Sequence, residues 1–262
     1  MNNGYIAVFD SGLGGLTCVK AIMNELPEEN IVFLADNANL PYGDKSKEEI
    51  VDLSIENIAF LNGFSPKALI IACNTIDSNA LEELKDRFDL PIIGVITPAA
   101  IKAVLISENR KIGIMATSAT VTSGQYERCL KDLDDKLEIF SLACPKFTPL
   151  IEEGRFIGED PLMIEAIKEK LDPLLEKKID TLILGCTHYD LLMEHIHRMA
   201  PELKIVSSSR CVVSDLKAYL LENDEFNNDN EPKRLFYATD NKEGFEKTAS
   251  YIIDDIKIEI PD

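Results

Sequence analysis

Short apolar runs alternate along this chain with stretches in which apolar residues recur every three or four positions. Residues 5–9, 31–35, 68–72, 91–96, 111–116, 137–141, 181–185, 204–206 and 234–239 read as strands. Between them, helical periodicity predicts helices over about 16–24, 46–61, 78–88, a segment containing Tyr126, 161–177, 207–221 and 244–255. Ser46 with Glu49 has the spacing of a capping box and marks where the second helix starts. The strand runs are mostly continuous rather than alternating, as expected for strands buried on both faces, and strand–helix alternation implies a parallel α/β fold. The acidic, Asn-rich stretch 222–231 reads as an exposed loop.

The pattern plays twice. The landmarks Asp10 and Cys73 in the first half have counterparts at Thr117 and Cys186 in the second, separated by similar distances. The expectation is two similar parallel-sheet α/β lobes, related by a pseudo-two-fold axis and facing each other across a cleft. The elements after 206 have no counterpart in the second half. Residues 1–96 with 207–262 are therefore expected to form the first lobe, and 97–206 the second.

Composition narrows the partners. Lys and Arg total 27 against 46 Asp and Glu, a formal charge of −19. Counterion release on DNA, RNA or an anionic membrane needs a basic face, so neither nucleic acid nor membrane is an expected partner. No apolar run approaches the roughly 18 residues of a membrane span. The N-terminus carries no basic region before its first strand, so a cytoplasmic protein is expected. The six cysteines are scattered with no C-x-x-C pair, which fits neither a disulfide framework nor a zinc site. His195 and His197 read as surface groups, and no metal is expected.

Two strand ends carry the chemistry. Ile71-Ala72-Cys73-Asn74-Thr75 and Leu184-Gly185-Cys186-Thr187-His188 each end an apolar run in a thiol followed by donors. Ligands of open parallel sheets collect at the carboxyl ends of strands. A thiol near a helix N-terminus can fall from about 8.5 toward neutrality, and that is the expectation for both. His188, two residues after Cys186 on a segment read as extended, would share its face. Two thiols reaching one cleft from opposite lobes suit proton abstraction on one face of a carbon and proton return on the other. Cys18, Cys129, Cys144 and Cys211 read as buried fillers. A competing dinucleotide reading rests on Gly12-Leu13-Gly14 and Asp36, but Thr17 stands where a third glycine belongs and Asp10 would face the pyrophosphate. The turn at Gly12–Gly15 instead reads as backbone amides open to a small anion such as a carboxylate.

Six blocks together closely resemble the glutamate racemases: Asp10-Ser11-Gly12-Leu13-Gly14-Gly15-Leu16-Thr17, Pro41-Tyr42-Gly43, Ala72-Cys73-Asn74-Thr75, Thr117-Ser118-Ala119-Thr120, Pro149-Leu150-Ile151-Glu152 and Gly185-Cys186-Thr187-His188-Tyr189. They occur in the family's order between residues 5 and about 210. The resemblance implies a cofactor-independent enzyme that interconverts L- and D-glutamate, supplying the D-isomer for peptidoglycan, and a homodimer. It implies Cys73 and Cys186 as the two acid/base residues, Asp10 supporting Cys73, and His188 with Glu152 supporting Cys186. Asp10, Ser11, Pro41, Tyr42, Gly43, Asn74, Thr75, Thr117, Thr120, Thr187 and His188 match substrate-contacting positions. Aspartate racemases are expected to carry a glutamate where His188 stands; a racemase for another amino acid and a non-catalytic amino-acid-binding homologue are the alternatives. The chain departs from the family pattern at Ile76-Asp77, at Asp190 in place of a proline, and at Ser207-Ser208-Ser209 where an aspartate is usual. It begins almost at its first strand, so no N-terminal regulatory extension or cell-wall-precursor activator is expected.

Overall fold

In the computed structural model, which describes residues 4–227 and 231–261, nine strands pair in parallel within two separate sheets. The first half runs β1 (Tyr5–Asp10), α1 (Gly15–Glu25), β2 (Asn30–Ala35), α2 (Lys47–Asn62), β3 (Pro66–Ile71), α3 (Asn74–Arg87), β4 (Ile92–Gly94) and α4 (Ile96–Ile106). The second runs β5 (Lys111–Ala116), α5 (Ser118–Ser123), α6 (Gln125–Leu133), β6 (Glu138–Ala143), α7 (Phe147–Glu152), α8 (Pro161–Glu176), β7 (Thr181–Gly185), α9 (Met193–Met199), β8 (Lys204–Ser207) and α10 (Ser208–Glu222). The chain then returns through β9 (Arg234–Ala238) and α11 (Lys242–Ala249).

The sheets are ordered β4-β3-β1-β2-β9 and β6-β5-β7-β8. Reading the second backwards matches β8, β7, β5 and β6 to β4, β3, β1 and β2, the two-fold pattern expected from the sequence. Each sheet reverses its winding at one place, between β1 and β3 and between β5 and β7, and such switch points open a crevice beyond the strand ends. Asp10, Cys73, Thr117 and Cys186 all stand at or just past those ends. The central strands are buried along almost their whole length, which is why they read as continuous apolar runs.

Among the described residues, only α4 and α10 carry the chain from a strand of one sheet toward a strand of the other, and they pack against each other. The apolar run 91–96 had suggested one strand; it is a three-residue strand followed by the start of α4, because Asp77 accepts hydrogen bonds from the Val95 and Ile96 amides at 2.6 and 2.8 Å. Helix α3 begins at Asn74, not near 78, with Cys73 as its N-cap. Helix α7 escaped the periodicity because it has six residues, and α11 ends at Ala249, short of the expected 255. The capping box forms as read: the Glu49 amide donates to Ser46 Oγ (3.2 Å) and the Ser46 amide to Glu49 Oε2 (2.9 Å).

Of the stretch 222–231, residues 228–230 lie outside the described residues, as do 1–3 and 262. Asn227 is buried rather than exposed. Its amide donates to Glu29 (3.0 Å) and its side-chain oxygen accepts from Lys67 Nζ (2.9 Å). Lys67 and Glu29 also form an ion pair at 2.6 Å with both side chains almost wholly buried. Removing one partner of such a pair strands the other charge in a dry interior. Lys67→Ala should therefore lower unfolding free energy by about 3–5 kcal/mol in urea titrations, whereas Lys47→Ala, which breaks an exposed pair with Glu83, should cost under about 1 kcal/mol.

Candidate active site

The crevices of the two sheets meet in one small cavity of about 50 Å³. Ser11, Pro41, Tyr42, Gly43, Cys73, Thr75, Thr117, Cys186, Thr187 and His188 line it. Asp10, Asn74, Thr120 and Glu152, also expected at the site, stand behind that lining. Leu40, Ser118, Cys144, Thr148 and Tyr189 line it too without having been singled out. Cys144 was recoverable in principle, being one residue past the end of β6, a third thiol at a strand end. Reading that strand as stopping at Ser141 hid it.

The glycine-rich turn explains how the two crevices come so close. A Cβ on Gly14 would lie 2.4 Å from Thr187 Oγ1 and 2.5 Å from the His188 backbone nitrogen; one on Gly15 would lie 2.4 Å from Asp10 Cβ. The expected anion at this turn is the protein's own. The Gly12 amide donates to Asp10 (2.9 Å) and the Leu13 amide to Glu152 (3.1 Å), so both amides are already committed. Asp36, the acid of the dinucleotide reading, is buried and accepts from Tyr42 Oη, Asn39, Asn57 and Thr239. With four protein donors satisfied, it holds the loop presenting Pro41-Tyr42-Gly43 rather than a ribose.

The two thiols are supported differently. Cys73 Sγ lies 3.4 Å from Ser11 Oγ. Burial, with the Asp10 carboxylate adding to it, pushes the Cys73 thiol up to about 12, against the pull of Ser11 and the Ile76 amide. This overturns the expected drop toward neutrality: desolvation outweighs the start of α3. Asp10 does not reach Cys73 through a hydrogen bond; its second oxygen accepts from Thr187 Oγ1 across the cleft at 2.9 Å. Burial raises Asp10 to about 6, with nearby His188 opposing.

Cys186 begins a turn of 3-10 helix, Thr187–Leu192, not an extended segment. Even so, His188 Nδ1 lies 3.8 Å from Cys186 Sγ, and His188 Nε2 lies 2.6 Å from Glu152 Oε1. Burial alone would discharge the imidazole. Hydrogen bonds and charge from Cys186 and Glu152 overcome it and hold His188 well above the usual histidine range. Burial works against ionised Glu152 as well, yet His188 and the Leu13 amide bring it below the ordinary glutamate value. At neutral pH, one thiol thus faces an imidazolium and the other a hydroxyl.

A hydroxyl cluster bridges the lobes at the opposite wall. Thr75 Oγ1 is 2.9 Å from Thr117 Oγ1, which donates to Thr120 Oγ1 at 3.0 Å. Asn74 spends its amide inside the protein: Tyr126 Oη donates to its Oδ1 (2.6 Å), and its Nδ2 donates to Ser208 Oγ (3.0 Å). His195, expected at the surface, is buried with Nε2 3.1 Å from the Phe156 carbonyl, while His197 is exposed. Among the described residues, no group of three or more His, Cys, Asp or Glu is arranged to hold a metal. Cys129 and Cys211, read as buried, are half-buried.

The model of the Asp/Glu/Hydantoin racemase family matches residues 16–216. The chain is 44% identical over 255 residues to the glutamate racemase of Sulfurihydrogenibium sp., covering 97% of this chain and 95% of that one. Its structure superposes on glutamate racemase isoform RacE1 from Bacillus anthracis with a TM-score of 0.94 at 35% identity, covering 100% of this chain and 98% of the other. The Francisella tularensis glutamate racemase, solved with D-glutamate, matches with a TM-score of 0.91 at 34% identity and the same coverage.

The His188–Glu152 pair makes a signed prediction. His188 is raised, so its contribution to stability is complete below about 6.5 and is lost as pH climbs through the elevated value. Glu152 is lowered, so its contribution holds above about 4.5 and is lost as pH falls through the depressed value. Glu152→Gln should therefore be less stable than the unmodified protein at pH 6, with the gap closing toward alkaline and strongly acid pH. Proton NMR of the three histidines should show the His188 midpoint moving down in the variant.

Proposed function

Because this chain belongs to the Asp/Glu/Hydantoin racemase family, we propose that it is a glutamate racemase working by two-thiol proton exchange at Cα. The single observation that carries the reading is the pair Cys73 and Cys186, one from each sheet, lining the same cavity. The family also takes aspartate and hydantoins. The near-complete alignment with glutamate racemases and the placement of His188 beside Cys186 favour glutamate. The D-glutamate produced supplies peptidoglycan synthesis in this reading.

The chemistry follows from the unequal supports. His188, held as an imidazolium with both ring nitrogens donating, faces the sulfur of Cys186 and pairs with the thiolate it forms when it acts as the base. That thiolate removes the Cα proton. The protonated Cys73 thiol delivers its own proton to the opposite face, inverting the centre. Turnover leaves the protons exchanged between the two sulfurs, and the reverse reaction starts from that state. Ser11, Thr75, Thr117 and Thr187 are placed to hold the amino acid's carboxylates and to meet the charge that spreads onto the α-carboxylate as Cα loses its proton. Asp10, fixed by Gly12 and Thr187, puts its charge on the Cys73 side.

A cavity of about 50 Å³ is far below the roughly 300 Å³ and upward of small-molecule sites. An amino acid therefore enters by parting the lobes, and the closed form excludes water from the carbanion-like centre. The proposal includes a cytoplasmic homodimer needing neither metal nor organic cofactor. No described helix is long and apolar enough to cross a membrane.

Incubating L-glutamate with the protein in D2O, without added cofactor, should erase the Cα proton signal and yield D-glutamate on chiral analysis. L-aspartate should exchange far more slowly. Cys73→Ala and Cys186→Ala should each lower racemisation by about 10³-fold or more. Wild-type turnover in either variant would overturn the mechanism. Tight glutamate binding without exchange by the unmodified protein would instead favour a binding role.

A further inference from the structure

Two of the positions at which this chain departs from the family pattern, Asp77 and Asp190, make matched contacts. Asp77 lies four residues after Cys73 and Asp190 four residues after Cys186. Asp77 is 6% exposed and accepts from the amides of Val95, the N-cap of α4, and Ile96, its first residue. Asp190 accepts from the hydroxyl of Ser207 at 2.6 Å, and Ser207 is the N-cap of α10, taking the Arg210 amide at 3.1 Å. Each carboxylate thus reaches from the turn after a thiol-bearing strand to the start of the helix after the next strand. Those two helices, α4 and α10, are the lobe crossings, packed on each other.

We propose that Asp77 and Asp190 are paired positioning residues that tie the two thiol-bearing turns to the starts of the crossing helices, and so set how Cys73 and Cys186 face each other when the lobes close. The inference rests on the racemase reading for its kinetic readout only. Neither carboxylate lines the cavity, so neither is a catalytic residue. Two further features fit. A Cβ on Gly94 would come 2.4 Å from Asp77 Oδ2, so the strand end is shaped around the carboxylate. On the other side, burial raises Asp190 to about 6, with the hydroxyls of Ser207, Ser209 and Thr17 and the charge of Arg210 opposing it only in part.

The experiment compares D77A, D77N, D190A and the exchange variant D190S/S207D with the unmodified protein, in both reaction directions. Misalignment of about an ångström costs on the order of 100-fold in rate. D77A and D190A should lose about tenfold or more of kcat, with KM changing less than about threefold. D77N, which keeps an acceptor, should lose less than D77A. The exchange variant should recover most of what D190A loses. Hydrogen exchange should speed up at Val95 and Ile96 in D77A, and at Arg210 in D190A, while circular dichroism shows a folded chain. Wild-type kcat in D77A and D190A, a loss matching only the fraction unfolded, or no recovery in the exchange variant would each overturn the proposal. If the unmodified protein fails to exchange the Cα proton, the racemase reading falls, and hydrogen exchange still decides whether the two clamps exist.

Discussion

Everything at this cleft depends on two peptide backbones approaching until no side-chain carbon fits between them. Gly14 meets Thr187 and His188 at distances that would forbid a Cβ. On that contact rest the Thr187–Asp10 hydrogen bond, the Leu13–Glu152 hydrogen bond and the burial of both thiols. Glycine's usual conformational liberty matters less here than its lack of volume. A residue of any size would hold the two sheets apart and leave two open crevices in place of one enclosed cavity.

Much of this was legible in the sequence, for a definite reason. Strands buried on both faces must be apolar throughout, so β1, β2, β3, β5 and β7 announced themselves, and the polar residues closing them marked the crevice. The Ser46–Glu49 box was equally plain, because its partners sit three residues apart. What could not be read depended on partners far away in the chain. Helix α4 starts where it does because Asp77, eighteen residues earlier, takes its first amides. The glycine-rich turn looked like an anion site because Glu152, the acceptor for its Leu13 amide, lies 139 residues on from Leu13. The Cys73 thiol looked activated by a helix start, and only the packed structure shows that desolvation prevails. His195 looked exposed until Phe156 and Arg198 closed around it.

The same distinction separates the residues that touch the cavity from those that support it. Thr187 could be named from its strand end, and Ser11 and Tyr42 from the resemblance to the glutamate racemases. Asn74 could be named as well, yet its amide joins α6 and α10 rather than the cavity. Since Ser208 also donates to the Leu184 carbonyl, two residues before Cys186, the residue after one thiol is linked by a short hydrogen-bonded path to the strand delivering the other.

The unlike environments of the two sulfurs carry a thermodynamic consequence. Mirror-image amino acids have equal free energy in water, so a racemase must have the same kcat/KM for both, however lopsided its site. A hydroxyl beside one thiol and an imidazolium beside the other therefore cannot make the enzyme a better catalyst in one direction at low substrate. The asymmetry has to surface elsewhere: in unequal saturation and unequal maximal rates for the two enantiomers, with each difference cancelling the other.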